Sequence, residues 1–270
     1  MNATTRRSVR WLAPAAAVVV ALLLWQLVTA GGLFRADQFP TMFDTVQALG
    51  KAVATPAYWM SIGSTLQAWF LGMVIASALA ITIGSALAFN DFAFRSAASV
   101  IEIFKAIPAI AILPLVILVL GSTLPMKVFL ITFGVFWPLV IQVIYGVRSM
   151  DPIVLDTAKA LGVGGLRRFV TITIPSASPY IATGLRIASA SALILAVVSE
   201  LVGGAAGIGR NILQAQNGGS SAYPVMYAYI LTAGLLGIVL TGAFFLLERN
   251  VMHWHESQRN IRSNAEGALR

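Results

Sequence analysis

The sequence contains no cysteine and only two histidines, His253 and His255. Without cysteine the chain has no disulfide, no thiolate metal ligand and no cysteine nucleophile. Two histidines cannot build a metal centre by themselves. We therefore expect neither redox chemistry nor a zinc site in this chain.

Charged side chains are also scarce. They make up 10% of the 270 residues, whereas 58% of the residues are apolar, and the mean hydropathy is +0.85. A soluble domain carries about 25% charged residues, so this chain has too little polar surface to cover a core of such apolar content. The composition predicts an integral membrane protein.

The apolar residues are concentrated in six long stretches with few charges. A helix that crosses a hydrocarbon core of about 30 Å needs about 20 such residues. The predicted spans are residues 11–31, 61–89, 97–120, 126–147, 179–202 and 222–247. Pro108 and Pro114 should kink the third span. We therefore expect an all-α, polytopic membrane protein whose six transmembrane helices form one domain over residues 1–270.

The first stretch has an alternative interpretation. A short basic N-terminus before an apolar run that ends in Val28-Thr29-Ala30 is also typical of a cleaved secretory signal. The run is longer than the apolar region of most signals, and further spans follow it. Both features favour a retained transmembrane helix.

The distribution of lysine and arginine predicts the orientation. With the N-terminus in the cytoplasm, all but four of the 18 basic residues fall on the inner side, where short loops preferentially hold them. The four on the outer side are Arg35, Lys51, Lys127 and Arg210. Both termini are then cytoplasmic, and the net charge of +8 is explained by membrane topology without a nucleic-acid partner.

The second span carries small residues at intervals that place them on shared helix faces. These residues are Gly63, Gly72, Ala76, Ala80 and Gly84. Small side chains let helices approach closely in lipid. A tightly packed helix bundle is the simplest explanation of the pattern.

Residues 148–178 form the longest predicted cytoplasmic loop. Asp151 is a good N-cap, Pro152 fits the first helical position, and Gly162 ends a helix of about three turns. A second short element is expected over residues 166–174, before Pro175. From these residues alone, an interfacial loop that lies on anionic lipid headgroups is an equal alternative to a docking loop.

Several motifs in the second half of the chain resemble a known family. Asp156-Thr157-Ala158-Lys159-Ala160-Leu161-Gly162, followed by Ile174-Pro175, is similar to the EAA loop of ATP-binding-cassette (ABC) importer permeases. Ser199-Glu200-Leu201, Gly207-Ile208-Gly209 and Leu247-Glu248-Arg249 resemble the branch of that family that transports nitrate, sulfonates and taurine. The sequence departs from the family at Asp156-Thr157, where Glu-Ala is usual, and at Arg210, where an aromatic residue is common.

The resemblance implies a type I ABC importer permease in the bacterial inner membrane that carries a small solute such as nitrate, a sulfonate or taurine. Its partners would be a second permease copy, expected to be identical, a cytosolic ATPase dimer and an extracytoplasmic solute-binding protein. The chain lacks the Gly-x-x-x-x-Gly-Lys-Ser/Thr phosphate loop. ATP and Mg would therefore bind to the ATPase, and this subunit would have no catalytic residue and no cofactor.

The same resemblance assigns the helix 152–161 as the coupling helix, which contacts the ATPase. The residues implied in coupling are Asp156, Thr157, Ala158, Lys159, Gly162, Arg167 and Pro175. We expect Gly162→Asp, or deletion of residues 156–162, to uncouple transport from ATP hydrolysis.

Four ionisable residues within the predicted spans are candidates for the translocation path, because charge at membrane depth is costly. Glu102 and Lys105 are three residues apart and form either a local ion pair or part of the path. Arg186 is expected near the inner interface. Glu200 is either held by backbone donors of Gly203-Gly204 or placed at an outer gate. A short helix is also possible between residues 203 and 221.

Two other classes of membrane protein are alternatives to the permease. A channel or secondary transporter would need no ATPase and would show inverted repeats or a chain of buried acids. A membrane-embedded enzyme would need a paired constellation of Asp, His or Ser, and Glu200 has no evident partner in the sequence. The sequence shows neither pattern, which favours the permease over both alternatives.

Overall fold

The computed structural model describes residues 3–31 and 38–251, and all regular secondary structure in these two ranges is helical. The eleven helices are α1 Ala3–Ala30, α2 Met42–Val53, α3 Pro56–Ala88, α4 Asp91–Ala106, α5 Leu113–Leu120, α6 Leu124–Arg148, α7 Pro152–Ala160, α8 Gly165–Arg168, α9 Ile174–Gly203, α10 Ile208–Asn217 and α11 Tyr223–Val251. His253, His255 and Arg35 lie outside the described residues.

Within residues 3–31 and 38–251, four helical segments are long and apolar enough to cross a membrane. They are Pro56–Ala88, Leu124–Arg148, Gly165–Gly203 and Ser220–Glu248. A fifth span is possible if Asp91–Ala106 and Ala109–Leu120 are counted together. In α1 the described apolar part is the shorter stretch Val19–Ala30. The all-helical membrane fold is confirmed, whereas the count of six spans stays a prediction.

The third predicted span is a broken helix rather than a single kinked one. α4 begins at Asp91, where Asn90 caps it by accepting a hydrogen bond of 3.0 Å from the Ala93 N–H. After α4 the chain bends by 75°, because Ile107 and Pro108 adopt extended backbone angles. Pro114 lies in the first turn of α5, where proline is tolerated. The predicted kink of this span is therefore confirmed, and it lies at Ile107 and Pro108.

The fifth span is longer than predicted, because α8 continues into α9 without a break. Residues 165–203 form one continuous helical segment. A π-helical turn over Phe169–Thr173 widens it, and the Ile174 N–H donates to the carbonyl of Phe169. A wider turn relieves the clash that the Pro175 ring would make with the preceding turn of a regular α-helix. The second short element therefore merges with the span.

Helices α3, α6 and α9 form the centre of the bundle through small residues. The Cα atoms of Gly72 and Gly84 in α3 face Ile131 and Val143 of α6, where a side chain would overlap Ile131 at Gly72 and pack very tightly against Val143 at Gly84. Ala76 and Ala80 are fully buried in the same interface. In lipid such close packing supplies much of the helix association energy. The predicted tight bundle is present, but Gly63 faces open space and does not take part.

We expect Gly72→Ala to destabilise the bundle. A Cβ atom on Gly72 would lie 2.5 Å from Cγ2 and 2.7 Å from Cβ of Ile131, so α3 and α6 would have to separate. Overpacking of this kind costs about 1–3 kcal/mol. Gly63→Ala is the matched control, because nothing lies within 4 Å of its added Cβ. The melting temperatures of the two purified variants test this prediction, and equal values would contradict it.

Candidate functional site

A buried ion pair joins the start of α6 to the end of α9. Lys127 Nζ lies 2.9 Å from Glu200 Oε1, and the exposed fractions of the two side chains are 2% and 0%. α6 and α9 run in opposite directions, so these two positions meet at one end of the bundle. We call this end the far end of the bundle, because α7 lies at the opposite end.

Hydrogen bonds from three further segments complete this ion pair. Thr65 Oγ1 lies 2.9 Å from both carboxylate oxygens of Glu200, and the Gly209 N–H donates to Oε2 over 3.1 Å. Lys127 Nζ also donates to the carbonyl of Ala206 over 2.7 Å and to that of Ser64 over 3.1 Å. A buried ion pair is tolerable when its remaining donors and acceptors are satisfied in this way.

Glycines allow the segment after α9 to fold closely over the Glu200 carboxylate. Gly204 and Gly207 have φ angles of +70° and +151°, which side chains disfavour. A Cβ atom on Gly207 would overlap the carboxylate, and one on Gly209 would overlap the carbonyl oxygen of Val197. The motif Gly207-Ile208-Gly209 therefore brings the start of α10 against Glu200 and holds α10 across the far end.

One prediction about this region stays open and one needs correction. The outer side assigned to Lys127 stays a prediction, and the structure adds that the Lys127 side chain is buried beside Glu200. The Glu200 carboxylate is held in place, but by Lys127, Thr65 and the backbone N–H of Gly209 rather than by backbone donors of Gly203 and Gly204. The Gly204 N–H instead caps α9 by donating to the backbone carbonyl of Glu200 over 3.0 Å. In this conformation the Glu200 side chain is enclosed by protein and faces no open passage.

The loop between α6 and α9 forms the short helix α7 with well-defined ends. The Asp151 carboxylate caps it by accepting a hydrogen bond of 2.9 Å from the Ile153 N–H. At its other end Gly162 has a φ of +72°, and the N–H groups of Gly162 and Val163 each donate over 3.0 Å, to the carbonyls of Lys159 and Ala158. This is a Schellman motif, which ends the helix and reverses the chain.

Large apolar side chains project from this loop. Ile153, Leu161 and Leu166 are 71%, 76% and 80% exposed. Among the residues implied in coupling, Asp156 and Lys159 form an exposed ion pair of 2.9 Å, and Thr157, Gly162 and Arg167 are also exposed. Ala158 is buried, and Pro175 lies in the first turn of α9.

The other ionisable candidates are separated from Glu200. Arg186 of α9 pairs with Glu248 of α11 over 3.1 Å, a partner that the sequence did not suggest. Glu102 and Lys105 form the local ion pair that was one of the two alternatives, with 2.8 Å between Lys105 Nζ and Glu102 Oε2. Of the four candidates, only Glu102 and Lys105 contact each other.

Comparison with known proteins identifies the family. The family described as the binding-protein-dependent transport system inner membrane component matches residues 72–253. This chain belongs to that family. The resemblance to ABC importer permeases is confirmed, and the subunit is a multi-pass membrane transport protein whose general partners are an ATPase and a binding protein.

Three permeases illustrate the sequence similarity. A probable ABC transporter permease protein of Brucella abortus (strain 2308) is 29% identical over 86% of this chain and 91% of that protein. A putative aliphatic sulfonates transport permease protein of Bacillus subtilis (strain 168) is 24% identical over 93% and 91%. A nitrate import permease protein of Leptolyngbya laminosa is 26% identical over 88% and 85%. The similarity to permeases of the sulfonate and nitrate branch agrees with the motifs.

A solved structure shows the same fold for the permease. The chain superposes on a chain of the inward-facing MetNI methionine ABC transporter with a TM-score of 0.64 and 18% identity. The superposition covers 74% of this chain and 99% of the other. The helical arrangement is therefore that of an ABC importer permease.

Proposed function

We propose that this permease forms the membrane passage for a small anion of the sulfonate or nitrate class, and that a cytosolic ATPase dimer drives it through α7. The substrate class is supported by the similarity to permeases named for aliphatic sulfonates and for nitrate. A second copy of the chain completes the passage, an extracytoplasmic binding protein delivers the solute, and the ATPase binds ATP and Mg. Both termini are cytoplasmic.

The exposed apolar side chains around α7 are the observation that carries this proposal. Ile153 and Leu161 lie between two spans, Leu166 lies in the first turn of the segment 165–203, and all three side chains are mostly exposed. Exposed apolar groups clustered in this way indicate an interaction surface. Asp156 and Lys159 on the same helix offer polar contacts to an ATPase beside that apolar surface.

The connections of α7 explain how docking there moves the spans. The chain enters α7 directly from α6 and leaves it through the continuous helical segment 165–203, so α6 and α9 move with it as rigid bodies. Arg148, at the end of α6, pairs with Asp91 over 2.5 Å and lies 4.1 Å from the ring centre of Phe94. Motion of α7 therefore reaches α4 as well.

Reconstitution tests the proposal. Proteoliposomes that contain the permease, with the ATPase and the binding protein from the same gene cluster, are expected to accumulate ethanesulfonate or nitrate only when ATP is present on the ATPase side. Accumulation is measured with labelled solute, and the control omits ATP. Equilibration of the solute without ATP would instead favour a channel. Uptake driven by an ion gradient would favour a secondary transporter.

A further inference from the structure

The break between α4 and α5 lines a cavity of about 310 Å³. Ile107, Pro108 and Ala109 form one wall, and residues of α6 and α9 form the others. Trp137 of α6 is among them and lies about halfway along Leu124–Arg148. The cavity is therefore near the middle of the membrane, since α6 is itself a spanning helix.

The backbone at Ile107 and Pro108, between α4 and α5, is not helical, and this restricts which surroundings it can have at this depth in the membrane. Its polar groups have no water to bind in a lipid core, so such a break occurs where it is buried in protein or lines a water-filled space. Lys105 also indicates that the cavity does not open into the lipid core, because a charged side chain at membrane depth faces an aqueous cavity or a protein interior. Lys105 lines this cavity and is 40% exposed.

The walls combine aromatic surface with a single charge. The ring centres of Phe104 and Trp137 are 4.8 Å apart in a stacked arrangement, and Phe133 contributes a third aromatic side chain. Ser191 adds a hydroxyl group. Among the described residues that line the cavity, Lys105 is the sole charged one. Its partner Glu102 does not line it, so the cavity presents positive charge beside apolar surface.

The ion pair with Glu102 does not prevent Lys105 from binding another anion. The exposed fractions of the Lys105 and Glu102 side chains are 40% and 65%. Ion pairs that are this open contribute at most about 1 kcal/mol. An anion within the cavity contacts apolar walls as well as the ammonium group, a combination that the Glu102 carboxylate does not have. Such an anion can therefore displace the Glu102 carboxylate.

We propose that this cavity holds the transported solute midway through the membrane, and that it favours an organic anion with a short apolar body over an inorganic anion such as nitrate. This inference rests on the proposed transport function. Lys105 and Ser191 bind the anionic group, and the aromatic walls contact the apolar part. The volume is at the lower end of the roughly 300–1,000 Å³ typical of small-molecule sites, which limits the solute to a small one.

Equilibrium binding to the permease–ATPase complex, without the binding protein, tests the assignment. The probes are labelled butane-1-sulfonate and nitrate, and the complex is reconstituted in lipid nanodiscs. We expect butane-1-sulfonate to bind more tightly than nitrate. Lys105→Gln should weaken the binding of both anions about tenfold, because it removes a charged hydrogen-bond donor. Phe104→Leu should weaken only the binding of butane-1-sulfonate.

Lys51→Gln is the matched control, since it removes an exposed lysine from α2, outside the cavity. Its binding should equal that of the wild type. The cavity assignment is overturned if wild-type complex does not bind butane-1-sulfonate saturably, or if Lys105→Gln binds it as well as Lys51→Gln does. ATP-driven uptake is measured on the same protein. Binding that depends on Lys105 without any such uptake would overturn the transport function and leave the anion site in place.

Discussion

Lys127→Met is expected to lower the free energy of unfolding by about 3–5 kcal/mol, because it leaves a buried carboxylate without its counter-ion. The exposed fractions of the Lys127 and Glu200 side chains are 2% and 0%, so water cannot replace the lost partner. The change should appear as a large drop in the melting temperature of the purified permease and in the yield of its complex with the ATPase.

Two comparisons separate this effect from a general cost of removing lysine. Lys159→Met removes the same group from an exposed ion pair with Asp156, where the expected loss is at most about 1 kcal/mol. The double variant Lys127→Met with Glu200→Gln should recover part of the stability, because neither charge is then left unpaired. If Lys127→Met melts at the same temperature as Lys159→Met, the buried ion pair does not stabilise the fold.

The same pair decides between the two roles considered for Glu200. The structure indicates that Glu200 positions α10 at the far end, so Glu200→Gln should reduce stability and solute uptake together. The Gln side chain keeps an acceptor for the Gly209 N–H but leaves Lys127 charged, so the loss should be large. Loss of uptake with an unchanged melting temperature would instead favour a gate.

Local sequence rules predicted α7 well because all of their determinants lie within a few residues. The Asp151 cap, Pro152 at the first helical position and Gly162 after the last turn act through adjacent backbone groups. The small residues of α3 were informative for a similar reason, since their spacing alone places Gly72, Ala76 and Ala80 on the face that packs. Neither prediction requires knowledge of a distant partner.

The ion pairs between helices could not be predicted in this way. Lys127 and Glu200 are separated by 73 positions, and hydropathy gives only the depth of each residue along its own span. Counting basic residues placed Lys127 on the outer side of the membrane, but such a count does not show whether a side chain faces water, lipid or another helix. The sequence did contain one signal for this ion pair, namely opposite charges at the ends of two predicted spans that lie on the same side of the membrane. Arg186 and Glu248 carry the same signal at another depth.

The prolines predicted where the backbone is irregular, but not which kind of irregularity occurs there. Pro108 accompanies a bend of 75°, whereas Pro175 lies in a continuous helix beside a π-helical turn. The difference depends on the surroundings. At Ile107 and Pro108 extended backbone faces a cavity, and at Pro175 one wider turn is enough to keep the helix intact.

Deletion of residues 156–162 is expected to abolish ATP-driven uptake, and Gly162→Val should reduce it severely. Gly162 has a φ of +72°, where a β-branched residue is strained by about 1–2 kcal/mol or more. The strain would open the Schellman motif and shift Leu161 and Leu166, the exposed side chains proposed to contact the ATPase. Labelled-solute uptake and co-purification of the ATPase measure the effect.

Gly164→Val is the matched control for Gly162→Val. Its φ is −58° and nothing lies within 4 Å of an added Cβ, so the backbone tolerates the new side chain and uptake should stay near the wild-type rate. The alternative, in which this loop binds anionic headgroups, makes a different prediction. The difference in uptake between the variants and the wild type would then disappear in vesicles of neutral lipid, because the wild-type loop has no headgroup charge to bind there either. Defects of equal size in neutral and anionic vesicles, together with loss of the ATPase, require a protein partner at α7.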